Sequence, residues 1–296
     1  MIKYIVKDNN IIIEDIHDFD LCQTLECGQA FHFEKTGEQD YIVVAMNRML
    51  HVAQTTAGGK VNLIFYNTSA EDFENVWNDY FDFDTDYAFI KSELLKMDER
   101  LREAIDSKWG VHILNQDFFE MLMSFIISQN KQIPQIKELV FRISKFYGKK
   151  LGEYNGKAYY SFPDVNECEV ITEEDFRNMK TGFRAPYLYD AAKKCKEGMY
   201  SVDILRGLND DEVMECLKQI KGVGEKVASC VMLFGLGRRS AFPVDVWMKR
   251  IMERLYFGED TKKEVIMEFA KKRFGELGGY AQQYLFYFAR DGKFSQ

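Results

Sequence analysis

Lys226 follows a Gly222-Val223-Gly224 turn by two residues and precedes Asp245 by nineteen. The spacing points to amine chemistry next to a phosphate-binding turn. A helix expected over 210–220 runs into the glycines, and a second helix starts at Glu225. Glycines there permit positive φ and close backbone approach, so the turn amides and the new helix's first amides can face a phosphate. An ordinary helical hairpin capped by its first glycine would look the same. Lys226 falls in the first turn of the second helix, whose positive end disfavours an ammonium. A neutral lysine amine is a nucleophile that forms Schiff bases. Asp245, in Pro243-Val244-Asp245, opens the next helix. There it can cap that helix or set a carboxylate against developing positive charge.

The elements that position these residues divide the chain in two. Short β-branched or aromatic runs at 2–6, 11–13, 30–33, 41–45, 49–53 and 61–66 are separated by turn-forming pieces, and predict an antiparallel sheet of about five or six strands. Helical spacing begins near Asp72 and includes 86–96 and 97–105. From Gln116 it predicts helices over 117–128, 134–147, 172–179, 185–197, 210–220, 225–235, 246–255, 261–274 and 279–290. Strands followed by helices mean an α+β protein. The expected domains are 1–110, the sheet with flanking helices, and 111–296, a helical region holding the hairpin 217–230 and a cleft.

The 296 residues are 46% hydrophobic and 29% charged, which excludes a disordered chain. The longest apolar run, 118–127, is too short to span a membrane, and the first residues lack a secretory h-region, so a cytoplasmic protein is expected. Six cysteines and four histidines show no metal-ligand spacing, so neither metal nor cofactor is expected. The net charge of −8 argues against nucleic acid. However, Lys249, Arg250, Lys262, Lys263, Lys271, Lys272 and Arg273 gather near the C-terminus, and a local basic face is what binding requires.

Taken together, the hairpin, Lys226 and Pro-Val-Asp245 resemble the helix–hairpin–helix/GPD superfamily of DNA glycosylases. The lysine resembles that of its bifunctional glycosylase/lyases, and the absence of cysteines after Cys230 sets aside the iron–sulfur branch. The whole chain is similar to the 8-oxoguanine DNA glycosylase/lyases. Glu26-Cys-Gly28-Gln29-Ala-Phe31 resembles the segment whose glycine carbonyl reads the lesion, and Phe125-Ile-Ile-Ser128-Gln-Asn130 the segment that fills the gap left by a flipped nucleotide. Thr181-Gly182-Phe183-Arg184-Ala185 resembles the wedge. Gly279-Tyr-Ala-Gln282-Gln-Tyr-Leu-Phe286 resembles the segment that supplies the base pocket.

The resemblance implies Lys226 as Schiff-base nucleophile and Asp245 as its electrostatic partner. It implies Gly28, Cys230, Gln282 and Phe286 around the lesion base, and Asn130, Gln135, Phe183 and Arg184 at the gap and opposite base. Gly222, Gly224, Val246, Trp247 and Lys249 are the implied phosphate contacts. The expected partner is double-stranded DNA containing 8-oxoguanine, bound by a monomer in a bacterial-type cytoplasm at the nucleoid. Three positions depart from the family. Gln135 stands where arginine is frequent, Trp247 where histidine is frequent, and Phe183 replaces the wedge tyrosine. A neutral Gln135 implies relaxed opposite-base specificity. The alternatives are a glycosylase/lyase for another oxidised or ring-opened purine, or a hairpin module that binds DNA without catalysis.

Overall fold

Tyr41-Ile-Val-Val-Ala45 is an unbroken apolar run, so both faces of its strand need cover. The computed structural model, which describes residues 2–292, supplies that cover. The strands are β1 (Ile5–Lys7), β2 (Asn10–Ile13), β3 (Phe33–Gly37), β4 (Asp40–Ala45), β5 (Arg48–Ala57) and β6 (Lys60–Tyr66). They form one antiparallel sheet in the order β1-β2-β6-β5-β4-β3. Tyr41, Val43 and Ala45 face a core shared with Phe65, Phe73 and Trp77. Ile42 and Val44 face the other way, onto Tyr159 and Phe141.

Tyr159 belongs to a hairpin that the sequence reading missed, β7 (Lys150–Tyr154) and β8 (Lys157–Tyr160), turned by Asn155 at φ 48° and Gly156 at φ 77°. The strand expected at 30–33 is also corrected. Ala30, Phe31 and His32 lie outside the sheet, which resumes at Phe33. The cause is Gln29, fully buried, whose Nε2 donates to the Thr24 and His112 carbonyls at 2.8 and 2.7 Å while its Oε1 accepts from the Leu114 amide at 3.0 Å. Phe31 thereby turns into the helical core against Phe125.

The main helices are α1 (Leu21–Glu26), α2 (Tyr87–Met97), α3 (Phe118–Ser128), α4 (Ile133–Tyr147), α5 (Ala185–Lys196), α6 (Asp210–Lys218), α7 (Glu225–Gly235), α8 (Val246–Met252), α9 (Lys263–Phe274) and α10 (Gly278–Arg290). Several start on a side-chain cap. Asp86 accepts from the Phe89 amide, Asp117 from Glu120 and Asn209 from Glu212, each near 3 Å. Residues 118–127 of α3 are all buried, which makes it the helical core's central element, packed by α5 and α7. Helix α8 ends earlier than expected because Glu253–Phe257 widens into a π turn stopped by Gly258 at φ 72°. Among the described residues no helix is long and apolar enough to cross a membrane.

His112 joins the two cores. Its ring stacks on Tyr87 at 3.7 Å, and its nitrogens lie 2.9 and 3.0 Å from the Phe81 and Asp18 carbonyls. Burial outweighs those two contacts and lowers its pKa to about 4. The unfolded chain takes up this proton near pH 6.5, the folded one only near 4. Stability contributed by neutral His112 is therefore complete above pH 6.5 and is lost as pH falls through that window, by about 3 kcal/mol in all. Urea unfolding between pH 7 and 4 should show this slope, and His112→Gln should flatten it.

Candidate active site

Two helix starts converge on one cleft. The turn between α6 and α7 is tied to α5: the Lys221 amide donates to Asp190 Oδ2 at 2.7 Å, and Lys194 Nζ donates to the Gln219 carbonyl at 2.6 Å. Gly222 has φ 77°, and a Cβ there would lie 2.2 Å from the Tyr187 ring. Gly224 does not use the positive φ that glycine permits; its backbone is extended at φ −102° and it caps α7. A Cβ on Gly224 would meet nothing within 4 Å, so no packing demands glycine there. Among the described residues no acceptor takes the Gly222 or Gly224 amide. The two glycines separate experimentally. Gly222→Ala should cost ~2–3 kcal/mol in thermal unfolding through strain and overlap. Gly224→Ala should unfold within about 0.5 kcal/mol of the unmodified chain and act on DNA affinity instead.

Lys226, half-buried, points its Nζ at Ser128 Oγ, 3.4 Å away, and over the Phe125 ring at 5.3 Å. Asp245 caps α8, its Oδ1 accepting from the Met248 amide at 2.8 Å. Both side chains line an open cleft of about 430 Å³ with Gly28, Phe286 and Arg290. They also line a smaller inner cavity of about 50 Å³ with Cys230, Gln282 and Gln283. The structure thus brings the expected nucleophile, its carboxylate and all four expected base-contact residues around one space.

Cys230 is one helical turn beyond Lys226 and buried. Burial pushes its thiol pKa up, with the Lys226 charge pulling against it, so at neutral pH it is a thiol surface and not a competing nucleophile. Gln282 is 4% exposed, and among the described residues its Oε1 has no hydrogen-bond partner. An orphaned acceptor costs stability unless a ligand donor fills it. Gly28 has φ 93°, and a Cβ there would lie 2.9 Å from Arg290 Nη1 and 3.3 Å from the Phe286 ring. Among the described residues no donor reaches its carbonyl oxygen.

The gap and phosphate residues are placed less simply. Asn130 is exposed, in left-handed conformation at φ 53°, on the loop between α3 and α4. Phe183 is 50% exposed, its ring near Tyr187. Arg184, expected to face the opposite base, is 5% exposed and turned inward. Its Nε and Nη2 donate to the Gln129 carbonyl and its Nη1 to the Thr181 carbonyl at 3.1 Å. It ties residues 181–184 to the loop between α3 and α4. Gln135 lies in the first turn of α4, where its Oε1 accepts from the Gln132 amide at 3.3 Å. Val246 and Trp247 are exposed at the start of α8. Lys249, expected on a phosphate, is held by Glu253 and Asp260. Of the basic C-terminal residues, Lys271, Lys272 and Arg273 are likewise paired, with Asp211, Glu268 and Asp98. Arg290 and Gln283 in the cavity wall were missed, although Arg290 stands four residues after Phe286 on the same helix.

Comparison with known proteins places this geometry. Residues 11–122 match the model for the 8-oxoguanine DNA glycosylase N-terminal domain, and residues 123–276 that for the HhH-GPD superfamily of base excision DNA repair proteins. A probable N-glycosylase/DNA lyase of Methanothermobacter thermautotrophicus is 31% identical over 245 residues, 75% of each chain. An Arabidopsis thaliana N-glycosylase/DNA lyase is 30% identical over 276 residues, 89% of this chain and 75% of that one. The solved Clostridium acetobutylicum 8-oxoguanine glycosylase/lyase, in complex with double-stranded DNA containing cytosine opposite 8-oxoguanine, is 42% identical. It superposes with a TM-score of 0.91 over 99% of this chain and 98% of its own. With both halves matched in order, and the hairpin lysine and aspartate in one cleft, this chain belongs to the 8-oxoguanine DNA glycosylase/lyase family of the helix–hairpin–helix superfamily.

Proposed function

We propose that this chain, acting as a monomer on duplex DNA, flips 8-oxoguanine out of the stack, excises it, and cleaves the strand through a Lys226 Schiff base. The observation that carries this reading is that Lys226 and Asp245 open onto the same cavity as the orphaned Gln282 acceptor. Extruding a base costs a few kcal/mol of unstacking, which pocket contacts must return. Gln282 Oε1 accepts from the N–H groups of the guanine Watson–Crick edge, and Phe286 and Cys230 supply apolar walls. The Gly28 carbonyl accepts the N7–H that the lesion carries, whereas guanine presents an N7 lone pair there. A site built around a polar contact in this way discriminates by orders of magnitude.

The neutral amine of Lys226 forms a bond to C1′ as the bond from C1′ to the base nitrogen breaks, and the base leaves with the electron pair. Asp245 stabilises the positive charge that develops on the sugar. One amine proton passes to the departing base and the other to O4′ as the C1′–O4′ bond breaks and the sugar opens, and the resulting imine acidifies the 2′ hydrogen. Removal of that proton expels the 3′ phosphate, which cuts the strand by β-elimination. The amides of Gly222 and Gly224 and the helix start at Val246 and Trp247 hold the backbone phosphates. Lys249 joins them only by leaving Glu253 and Asp260. Asn130 and Phe183 occupy the vacated stack.

Opposite-base selection is relaxed in this reading. Gln135 is neutral and both donor and acceptor, so it meets cytosine or adenine, and the Arg184 guanidinium is spent on backbone carbonyls. Single-turnover release from duplexes carrying 8-oxoguanine opposite each of the four bases, beside formamidopyrimidine and oxidised-pyrimidine substrates, tests both points. The expected result is 8-oxoguanine released fastest, with the adenine pair within about tenfold of the cytosine pair, a difference below ~1.4 kcal/mol. Preference for an oxidised pyrimidine would overturn the substrate. A strong cytosine preference would overturn the relaxed pairing.

A further inference from the structure

Arg290 ends α10, four residues after Phe286 and eight after Gln282, so the three share one helix face. Gln282 and Phe286 line the inner cavity, whereas Phe286 and Arg290 line the outer cleft. Along this face the helix therefore runs from the closed end of the pocket to its mouth. The guanidinium is fixed there. Nη2 donates to the Glu26 carbonyl at 2.6 Å, and the group lies 4.8 Å from the Tyr287 ring centre and 5.9 Å from that of Phe286. Asp291 Oδ1 is 3.9 Å from Nη2 and is itself held by Lys108. Among the described residues Nη1 is buried without a hydrogen-bond partner, 2.9 Å from the point that a Cβ on Gly28 would occupy. A buried guanidinium N–H without an acceptor is costly, and none of the described residues accepts from this one.

We infer that Arg290 is a specificity-determining residue whose Nη1 donates to the C8 carbonyl oxygen of the flipped lesion. The inference rests on the proposed function and adds a second point of discrimination to it. On the edge of 8-oxoguanine that faces Gly28, O6, N7–H and O8 follow one another. The Gly28 carbonyl takes the central N7–H. O6 turns toward the Watson–Crick edge and hence toward Gln282 at the closed end. O8 turns toward the sugar and the mouth, where Arg290 stands. Guanine carries only a C8–H at that position, so the same donor stays unpaired over the normal base. A charge-assisted contact of this kind is among the stronger hydrogen bonds available.

The test is a double-mutant cycle between protein and substrate, with 8-oxoguanine and 8-thioguanine duplexes opposite cytosine. Both bases carry N7–H, and sulfur is the weaker acceptor. The unmodified full-length chain should release the thio base about tenfold more slowly than the oxo base under single turnover, and Arg290→Met should slow 8-oxoguanine release about 10- to 100-fold. In that variant the oxo-to-thio ratio should shrink to within about twofold, while Arg290→Lys, which keeps a donor, should retain part of it. An unchanged ratio in Arg290→Met would mean that Arg290 only braces the Gly28 loop through Glu26, and the inference would fail. Should Arg290→Met melt well below the unmodified chain, the ratio is read in Arg290→Lys instead, where a partly reduced ratio supports the contact and an unreduced one overturns it. No release of 8-oxoguanine by the unmodified chain would overturn the proposed function, and this contact with it.

Discussion

Replacing Lys226 by glutamine is expected to abolish strand cleavage and to slow base release by at least about 10³-fold, the scale on which removal of a covalent nucleophile acts. The fold should be untouched. Lys226 is only half-buried, its contact to Ser128 is a long 3.4 Å, and glutamine retains a donor and a flexible stem. Affinity for a lesion duplex should stay near that of the unmodified chain, because the proposed base contacts at Gly28, Gln282 and Phe286 and the proposed phosphate contacts at Gly222 and Gly224 remain. The comparison is a kinetic one, single-turnover release beside equilibrium binding. Equal loss of binding and rate would mean that Lys226 is a DNA contact.

Asp245→Asn separates two roles of one carboxylate. Asp245 Oδ1 caps α8 by accepting from the Met248 amide, and asparagine caps as well as aspartate. Thermal stability should therefore change by less than ~0.5 kcal/mol. Base release should nevertheless fall at least ~10²-fold, because a neutral amide cannot stabilise the positive charge on the sugar. Asp245→Ala should lose both functions and cost a further ~1 kcal/mol in unfolding. A near-normal rate in Asp245→Asn would reduce the residue to its cap.

The sequence carries the helices and the active-site spacing well because their signals are local. Asp86, Asp117, Asn209 and Asp245 sit at helix starts as their short polar side chains demand, and Lys226 and Cys230 on one helix, like Gln282 and Phe286 on another, are a single helical turn apart. The β7–β8 hairpin was passed over because its strands are short and charged and lie among helices. Its Asn155-Gly156 turn was the legible signal. Residues 30–32 read as strand because nothing local announces that the Gln29 side chain is held by carbonyls 5 and 83 residues away. Direction is what the sequence hides. Residue type suggests that Arg184 and Lys249 face DNA, whereas the structure turns Arg184 onto the Gln129 carbonyl, 55 residues distant, and Lys249 onto Glu253 and Asp260. Gly224 was legible as glycine but not as the open, extended residue that it is.

The most direct measurement is incubation of the unmodified chain with an 8-oxoguanine duplex under borohydride, followed by peptide mapping of the covalent product. A reduced imine joining Lys226 Nζ to the former C1′ of the lesion nucleotide is the expected species, dependent on the oxidised base and absent from an undamaged duplex. Mapping of the adduct to Lys221 or Lys249, or undiminished trapping after Lys226→Gln, would contradict Lys226 as the nucleophile. Release of the base without any trappable adduct would contradict the Schiff-base route itself.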